Sequence, residues 1–474
     1  MKMPLVTGAY QAKSLAAEAQ RCVNLYMERN PQDSPFPYTC YLTPGLTPLV
    51  SVAPTLGSGW RGLYFASNNQ LYGVCGSSVY SISSAWVATF LGDITSHSGP
   101  VAMVDNGSYL VIVDGSPNGW TVKLAANTFA PLASTGFLGG NTVAFMDGYL
   151  VLNSPGTNEW YISTGNEIVF DPTQFASKSG AQDLLAGLAV TKRYIYLFGQ
   201  QTTEVWFDAG DTPFPMDRLP GVFMQFGCTS AASIAQMDGD LYWLAQSPQG
   251  DAIVCRSVQF NAKQISTFAL ANEMTNYGDL DQAIGFTYQF EGHFFYVLTF
   301  PETDVTWQYD LSTEQWNQLA WADSNGVLHR HRASCFASAY GSPVVGDWET
   351  GQLYLWDQDN YTDNGAPIVR IRSFPHGVDD SSNRIHYTEF IANFEVGNGA
   401  GNVRVPVSLR WSDTRGVSWG NPVMRSLGME GEYLKSVQWR RLGMARDRVF
   451  ELSWSAPCKT ALLGAWVDAQ SNNQ

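Results

Sequence analysis

The chain has 474 residues, room for one large repeat array and a smaller domain beside it. Hydrophobic residues make up 45 % and charged residues only 15 %, with 44 Gly and 13 % aromatics, a composition that favours short strands and tight turns over helices. The formal net charge of −15 counts against wrapping nucleic acid, because an acidic chain repels the phosphates that supply most of such binding energy.

Residues 1–58 read as an extended N-terminal arm. MKMPLVTGAYQAKSLAAEAQ lacks the apolar core of a secretory signal, so folding in the cytoplasm is expected. Within it QAKSLAAEAQR has helical character, the one such segment in the chain. CVNLYMERNPQDSPFPYTCYLTPGLTPLV is Pro-rich and extended. Two uses suit it: a strand that closes a ring of repeats, or a clamp on a neighbouring copy.

Residues 59–368 carry an internal repeat. A turn, often containing Gly, precedes an apolar-aromatic strand in NNQLYGV, NGSYLVIV, MDGYLVL, TKRYIYLF, MDGDLYWL, FEGHFFYVL and GSPVVGD. The anchors Leu71, Tyr109, Tyr149, Tyr194, Leu241, Phe294 and Pro343 are separated by 38, 40, 45, 47, 53 and 49 residues. Such spacing fits four-stranded propeller blades. A small-residue strand precedes each anchor (RGLYFA, PVAMVD, NTVAFM), as an inner strand crowded at an axis requires. A third strand with an aromatic follows (SSVYSI, TEVWFD, VTWQYD), then a variable outer strand such as WVATFLGD or EQWNQLAW. Seven blades are expected; a merged or irregular unit would make six or eight.

Residues 369–474 differ. After the linker-like NYTDNGAPIVRIRSFPHGVDDSSNR, alternating strands appear in RIHYTEFIANFEV, NVRVPVSLRWS, SVQWRRLGMA, RVFELSWSA and ALLGAWVDA, the pattern of a small β-sandwich. From Arg370 onward there are 13 Lys and Arg against 10 Asp and Glu, a net of +3; the preceding residues hold 14 against 32, a net of −18. That asymmetry marks a domain boundary. An acidic body would let DNA slide past without sticking.

No catalytic or metal constellation is assembled in the sequence, and no cofactor is expected. The seven Cys are odd in number and widely spaced, without CxxC, which fits buried reduced thiols. WSDTRGVSWG resembles the Asp-box hairpin of sialidase-like propellers. Its Gly416 falls one residue late, so Asp413 and Gly416 are expected to form an ordinary hairpin turn, with Asp413 on turn amides and Gly416 at positive φ. Arg61, Arg193, Arg218 and Arg256 are scattered, where a sialidase needs a converging group. LHRHR holds the only His cluster, His329 and His331, read as a solvated or subunit-facing loop without a third ligand. DDSSN at Asp379 lacks Ca²⁺-loop spacing. GNGAGN near Gly397 opens no helix, so it is no phosphate loop. No stretch approaches the ~18 apolar residues of a membrane-spanning helix. Arg440, Arg441, Arg446 and Arg448 form a basic run that is either a solvated strand face or a contact for an acidic partner, such as the acidic part of another copy.

The order NLYMERNP, YLTPGLTPLV, RGLYFASNNQLYGVCGSSVYSI, RYIYLFGQQTTEVWFDAG, MQFGCTSAASIAQMDGDLYWLAQSPQG, LRWSDTRGVSWGNP and QWRRLG resembles the packaged-DNA stabilisation proteins, or tail hub (nozzle) proteins, of Salmonella-type short-tailed phages. The resemblance runs from about Val23 to Val467 and rests on collinearity. It implies a propeller-like structural subunit in a homo-hexameric ring below the portal and its adaptor protein. Such a ring retains packaged DNA, conducts it during ejection without sequence-specific binding, and carries a tail needle, tailspikes or fibres. It brings no catalytic residues. The alternative from the residues alone is a glycan-binding or glycan-cleaving propeller.

Overall fold

The computed structural model describes residues 2–5, 8–247, 249–379, 383–396 and 405–471. Seven antiparallel sheets follow one another at 60–93, 102–131, 143–177, 185–224, 235–264, 284–322 and 333–357, the last taking its fourth strand from Gly45–Ser51. They are the blades of a seven-bladed propeller, in the order the repeats predict. Trp60–Phe65, Ala102–Asp105 and Val143–Met146 are inner strands, and Ser78–Ile82 and Thr203–Asp208 are third strands.

The second strands, such as Leu71–Cys75 and Tyr149–Asn153, are buried almost throughout. Each blade is covered on both faces, so alternation gives way to continuous apolar runs. The turns before them include Asp147–Gly148 (φ 49° and 94°) and Asp238–Gly239 (φ 52° and 73°). Both central residues have positive φ, the hairpin geometry that matches strand twist. Aromatic side chains knit blade to blade: Trp160 meets Trp206 with ring centroids 5.2 Å apart, Phe198 meets Trp243 at 5.0 Å, Tyr242 meets Tyr296 at 5.5 Å and Tyr288 meets Trp356 at 4.3 Å. Such pairs contribute roughly 0.5–1.5 kcal/mol each beyond the area they bury.

The first 51 residues are woven into both halves. Lys2–Met3 pairs with Ala461–Ser471, and the hairpin of Leu25–Arg29 and Tyr38–Leu42 extends the same sandwich sheet. Cys22–Val23 lies between the outer strand Gln315–Ala322 of blade six and Arg370–Ser373 of the sandwich. Gly45–Ser51 then closes blade seven. Asn24 (φ 55°) pins this path: its Nδ2 donates to Ala320 O (2.7 Å) and Val369 O (2.8 Å), and its Oδ1 accepts from Ala320 N (2.9 Å).

Three expectations need correction. QAKSLAAEAQR is a hairpin, not a helix: Tyr10–Gln11 pairs with Ala19–Gln20 around a single turn in which Ala17 N and Glu18 N donate to Ser14 O. Leu15 alone cannot supply the apolar stripe that holds so short a helix. The α-helix among the described residues is Phe268–Thr275, N-capped by Thr267, whose side chain accepts from Leu270 N. It occupies the longest interval between repeat anchors. The linker-like stretch contributes Arg370–Ser373 to the sandwich and a small hairpin, Thr362–Asp363 with Ala366–Pro367, against the closing strand.

The sandwich packs Ser436–Ala445, Ile385–Glu395 and Ala461–Ser471 over Asp447–Trp454, Pro406–Ser412 and Val423–Ser426. Phe390, Trp439, Phe450, Leu452 and Trp454 fill its core. Arg370 and Arg372 are buried at its boundary. Arg372 donates to Gly8 O (2.8 Å) and Gln20 Oε1 (3.0 Å) of the woven N-terminal segment, whereas Arg370 donates to Ala456 O (2.9 Å) within the sandwich.

Candidate functional site

The propeller axis is the first place to seek a site. The seven inner strands enclose a cavity of about 500 Å³ lined by small and apolar side chains such as Leu63, Val101, Val143, Leu188, Ile234 and Phe286. A Cβ on Gly62 would sit 2.8 Å from Val101 O, and one on Gly187 would sit 3.1 Å from Ala231 Cβ, so neighbouring blades meet closely at the axis. Arg61 is the charged residue of the lining, and its guanidinium is committed to Gly99 O (2.6 Å), Ser98 O (2.7 Å), Gly76 O (2.9 Å) and Ser96 O (3.0 Å). Burial lowers its pKa to about 10, so it stays charged. The axis offers packing and no proton chemistry, and it is no passage for duplex DNA.

A second cavity, about 580 Å³, opens beside blade seven with Trp321, Arg332, Asp347, Glu349, Tyr354 and Asp363 in its wall. An indole beside carboxylates is what a glycan site needs, but here Trp321 is already engaged by a cation and an imidazole. Arg332 lies 4.1 Å from the ring centroid, and His329 stacks at 5.0 Å. Asp347, fully buried, accepts from Tyr354 OH (2.9 Å), Glu349 N (2.8 Å) and Arg332 Nη1 (3.3 Å). Burial raises the Asp363 carboxyl to about 7. The group braces blade seven and leaves no platform for a sugar ring.

The residues singled out from the sequence are dispersed. Arg61, Arg193, Arg218 and Arg256 do not converge. Arg193 pairs with Asp147 (3.0 Å), Arg218 with Glu204 (3.9 Å) and Arg256 with Asp240 (2.9 Å). His329 Nδ1 lies 2.6 Å from Asp304 Oδ2 on a short strand, Leu328–Arg330. His331 is instead buried against Trp356, and burial lowers its pKa to about 4. The solvated-loop reading therefore fails for His331. No group of three metal-ligating side chains occurs among the described residues. All seven Cys are buried and none forms a disulfide, and burial raises Cys75, Cys228, Cys255 and Cys335 to about 12. Most of DDSSN, at 380–382, and GNGAGN, at 397–402, lie outside the described residues.

The Asp-box-like hairpin and the basic run turn out to be linked. Gly416 has φ +85°, but the turn amides Gly416 N (2.9 Å) and Thr414 N (3.3 Å) donate to Ser412 Oγ. Asp413 faces away from them and receives Arg448 through both carboxylate oxygens, at 2.6 and 2.8 Å. Arg448 is 2 % exposed, with Tyr387 4.7 Å from its guanidinium carbon, so it is a core residue of the sandwich and no surface contact. Arg440, Arg441 and Arg446 are exposed, Arg440 paired with Glu389 at 2.8 Å. Sequence periodicity could not reveal the Asp413–Arg448 pair, since its members lie 35 positions apart on different strands.

The fold is thus a propeller closed by its own N-terminal segment and joined to a β-sandwich, with most internal charges tied to partners within the chain. The family profile described as "Bacteriophage P22 Gp10, beta-propeller" matches residues 1–361, and "Bacteriophage P22 Gp10, beta-sandwich" matches residues 375–470. The chain belongs to this family, which makes it a bacteriophage structural tail protein and a component of the virion. Among solved structures, the WD40 β-propeller domain of Doa1 is similar, with a TM-score of 0.43 and 10 % identity over 67 % of this chain and 98 % of that chain. No curated protein matches the sequence. Among the described residues no helix is long and apolar enough to cross a membrane.

Proposed function

We propose that the chain is the tail hub (nozzle) subunit of a short-tailed phage, assembling with copies of itself into a closed, hexameric ring below the portal and its adaptor protein. In this reading the ring retains packaged DNA, conducts it at ejection and carries the tail needle, tailspikes or fibres. The match of both domains, in order, to the P22 Gp10 family is the observation that carries it. Two physical facts support it. The cavity at the axis of one propeller, about 500 Å³, is far too small for a duplex, so DNA must pass through an opening between copies. The body preceding Arg370 carries a net of −18, which suits a wall past which phosphates slide without sequence-specific contacts. Assembly takes place in the host cytoplasm. The propeller, 59–368, forms the wall, and the sandwich, 369–474, with the arm strands woven into it, supplies contacts to neighbouring copies or the adaptor. The role is structural rather than catalytic and uses no cofactor.

Electron microscopy of the full chain and of tail-bearing particles tests this. The expected result is a closed ring with an opening wide enough for duplex DNA. A lone propeller that enters no particle would overturn the reading and direct attention to glycan arrays.

A further inference from the structure

The outer strands of the blades are not equally protected. Blades three, four and six have long ones: Phe170–Ser177, Met216–Met224 and Gln315–Ala322, of 8, 9 and 8 residues. The closing strand of blade seven, Gly45–Ser51, has 7 residues. Blade six is covered by Cys22–Val23 and Leu328–Arg330, and blade seven by Thr362–Asp363. Among the described residues nothing pairs with the outer edges of blades three and four. Uncovered edge strands are surfaces that proteins ordinarily shield or use for docking; these two carry Pro172 and Pro220 and a bulge each, which hinder simple strand addition and leave side-chain docking as the use open to them. Together with the turn before Phe170 they expose Val169, Phe175 and Phe223 among Glu167, Asp171 and Asp217, with Arg218 set against the buried Glu204 at 3.9 Å. The bond from Gln174 Nε2 to Pro213 O (2.8 Å) joins the two blades into one rim.

The sandwich presents the opposite character. Its edge strand Ser436–Ala445 pairs on one side only, with Ile385–Glu395. Tyr433 and Leu434 lead into it, Met444 ends it, and all three are exposed. Arg441 and Arg446 stand along the same edge with no carboxylate at ion-pair distance among the described residues. The sandwich joins the propeller at blade six through Cys22–Val23, two and three blade positions from blades four and three, on the other side of the axis.

We infer that the sandwich edge strand 436–445, with Arg441, Arg446 and Met444, docks on the acidic, apolar rim of blades three and four of a second copy of this chain. The inference rests on the ring reading and deepens it. Two different, complementary surfaces on different sides of one subunit give a head-to-tail contact, the kind that closes into rings, whereas a two-fold contact would stop at a dimer.

The test mixes two full-length single-site variants, Met444→Cys and Phe175→Cys, and treats them with a short bis-maleimide. The native thiols are all buried and stay silent. Linkage between the two variants, absent when either is treated alone, is the expected result. Arg441→Glu combined with Arg446→Glu should weaken association by about tenfold or more. Asp171→Lys with Asp217→Lys on the partner should restore it, a rescue that a folding defect would not show. Rings visible by microscopy without this linkage, or linkage of one variant to itself, would overturn the assigned faces and leave the ring reading standing. A chain that forms no ring, free or on particles, and gives no linkage would overturn both.

Discussion

The propeller and the sandwich are built from the same antiparallel strands yet solve opposite problems. The propeller closes on itself: each blade is buried between two others, its inner edges meet at the axis, and its charge is strongly negative. The sandwich is open, with an exposed edge and a small positive balance. Closure hides the inner edges of the blades and leaves only outer edges free, whereas the sandwich leaves the long edge strand Ser436–Ala445 unpaired on one side. The N-terminal 51 residues keep the two from behaving as separate bodies, because they contribute strands to both.

The comparison breaks most severely if closure is lost. Leu46→Asp buries a charge in the closing strand of blade seven, where Leu46 is fully buried. It should cost on the order of 5 kcal/mol. Calorimetry should show the single unfolding transition shared by both halves fall as one; a sandwich that melts unchanged would show the two halves to be independent. Asn24→Ala removes three buried hydrogen bonds at the junction and should cost about 3 kcal/mol, splitting one thermal transition into two.

Acidification separates the halves by a different route. His331 lies inside the propeller with its pKa lowered to about 4 by burial, against about 6.5 when unfolded. Between those values the unfolded chain binds the proton and the folded chain does not, so stability falls as pH falls through that window. The loss is on the order of 3 kcal/mol. His331→Gln should flatten the denaturant midpoint against pH over that range. His293 has the reverse sign. Burial opposes its charge, but Asp310 at 2.8 Å and Glu28 of the arm outweigh this, and its pKa is raised. Its contribution is therefore complete below about 6.5 and lost as pH rises through the raised value. His293→Gln should lower stability at mild acid and change it little at alkaline pH. The smallest effect belongs to Asp413→Asn. It loosens Arg448 at a partly solvated pair and should cost about 1 kcal/mol, read as a small fall in sandwich melting temperature.

Much of the propeller was legible because every blade faces the same constraints. Turn, buried strand and aromatic third strand recur wherever a blade must pack against two others. The arm was less legible: Val50 and Leu46 meet partners some 300 positions away, and pairing at that distance leaves no local pattern. The helix Phe268–Thr275 is only eight residues long, about two turns, too short for its periodicity to stand out from a strand-length apolar run. QAKSLAAEAQR misled because helix propensity without an apolar stripe yields to tertiary pairing. In the basic run, four arginines looked equivalent, and only the fold separates the buried Arg448 from exposed Arg440, Arg441 and Arg446.

The strand Gly45–Ser51 also sets an order of events during synthesis. It leaves the ribosome early, but its register partner Gln352–Asp357 follows roughly 300 residues later. At the usual 5–20 residues per second, that is a wait of roughly 15 to 60 s. Until then six blades stand as an open arc with an unfilled gap. A chain terminated before Asp357 therefore never closes, and completion of blade seven doubles as a check that the message was read through the whole propeller.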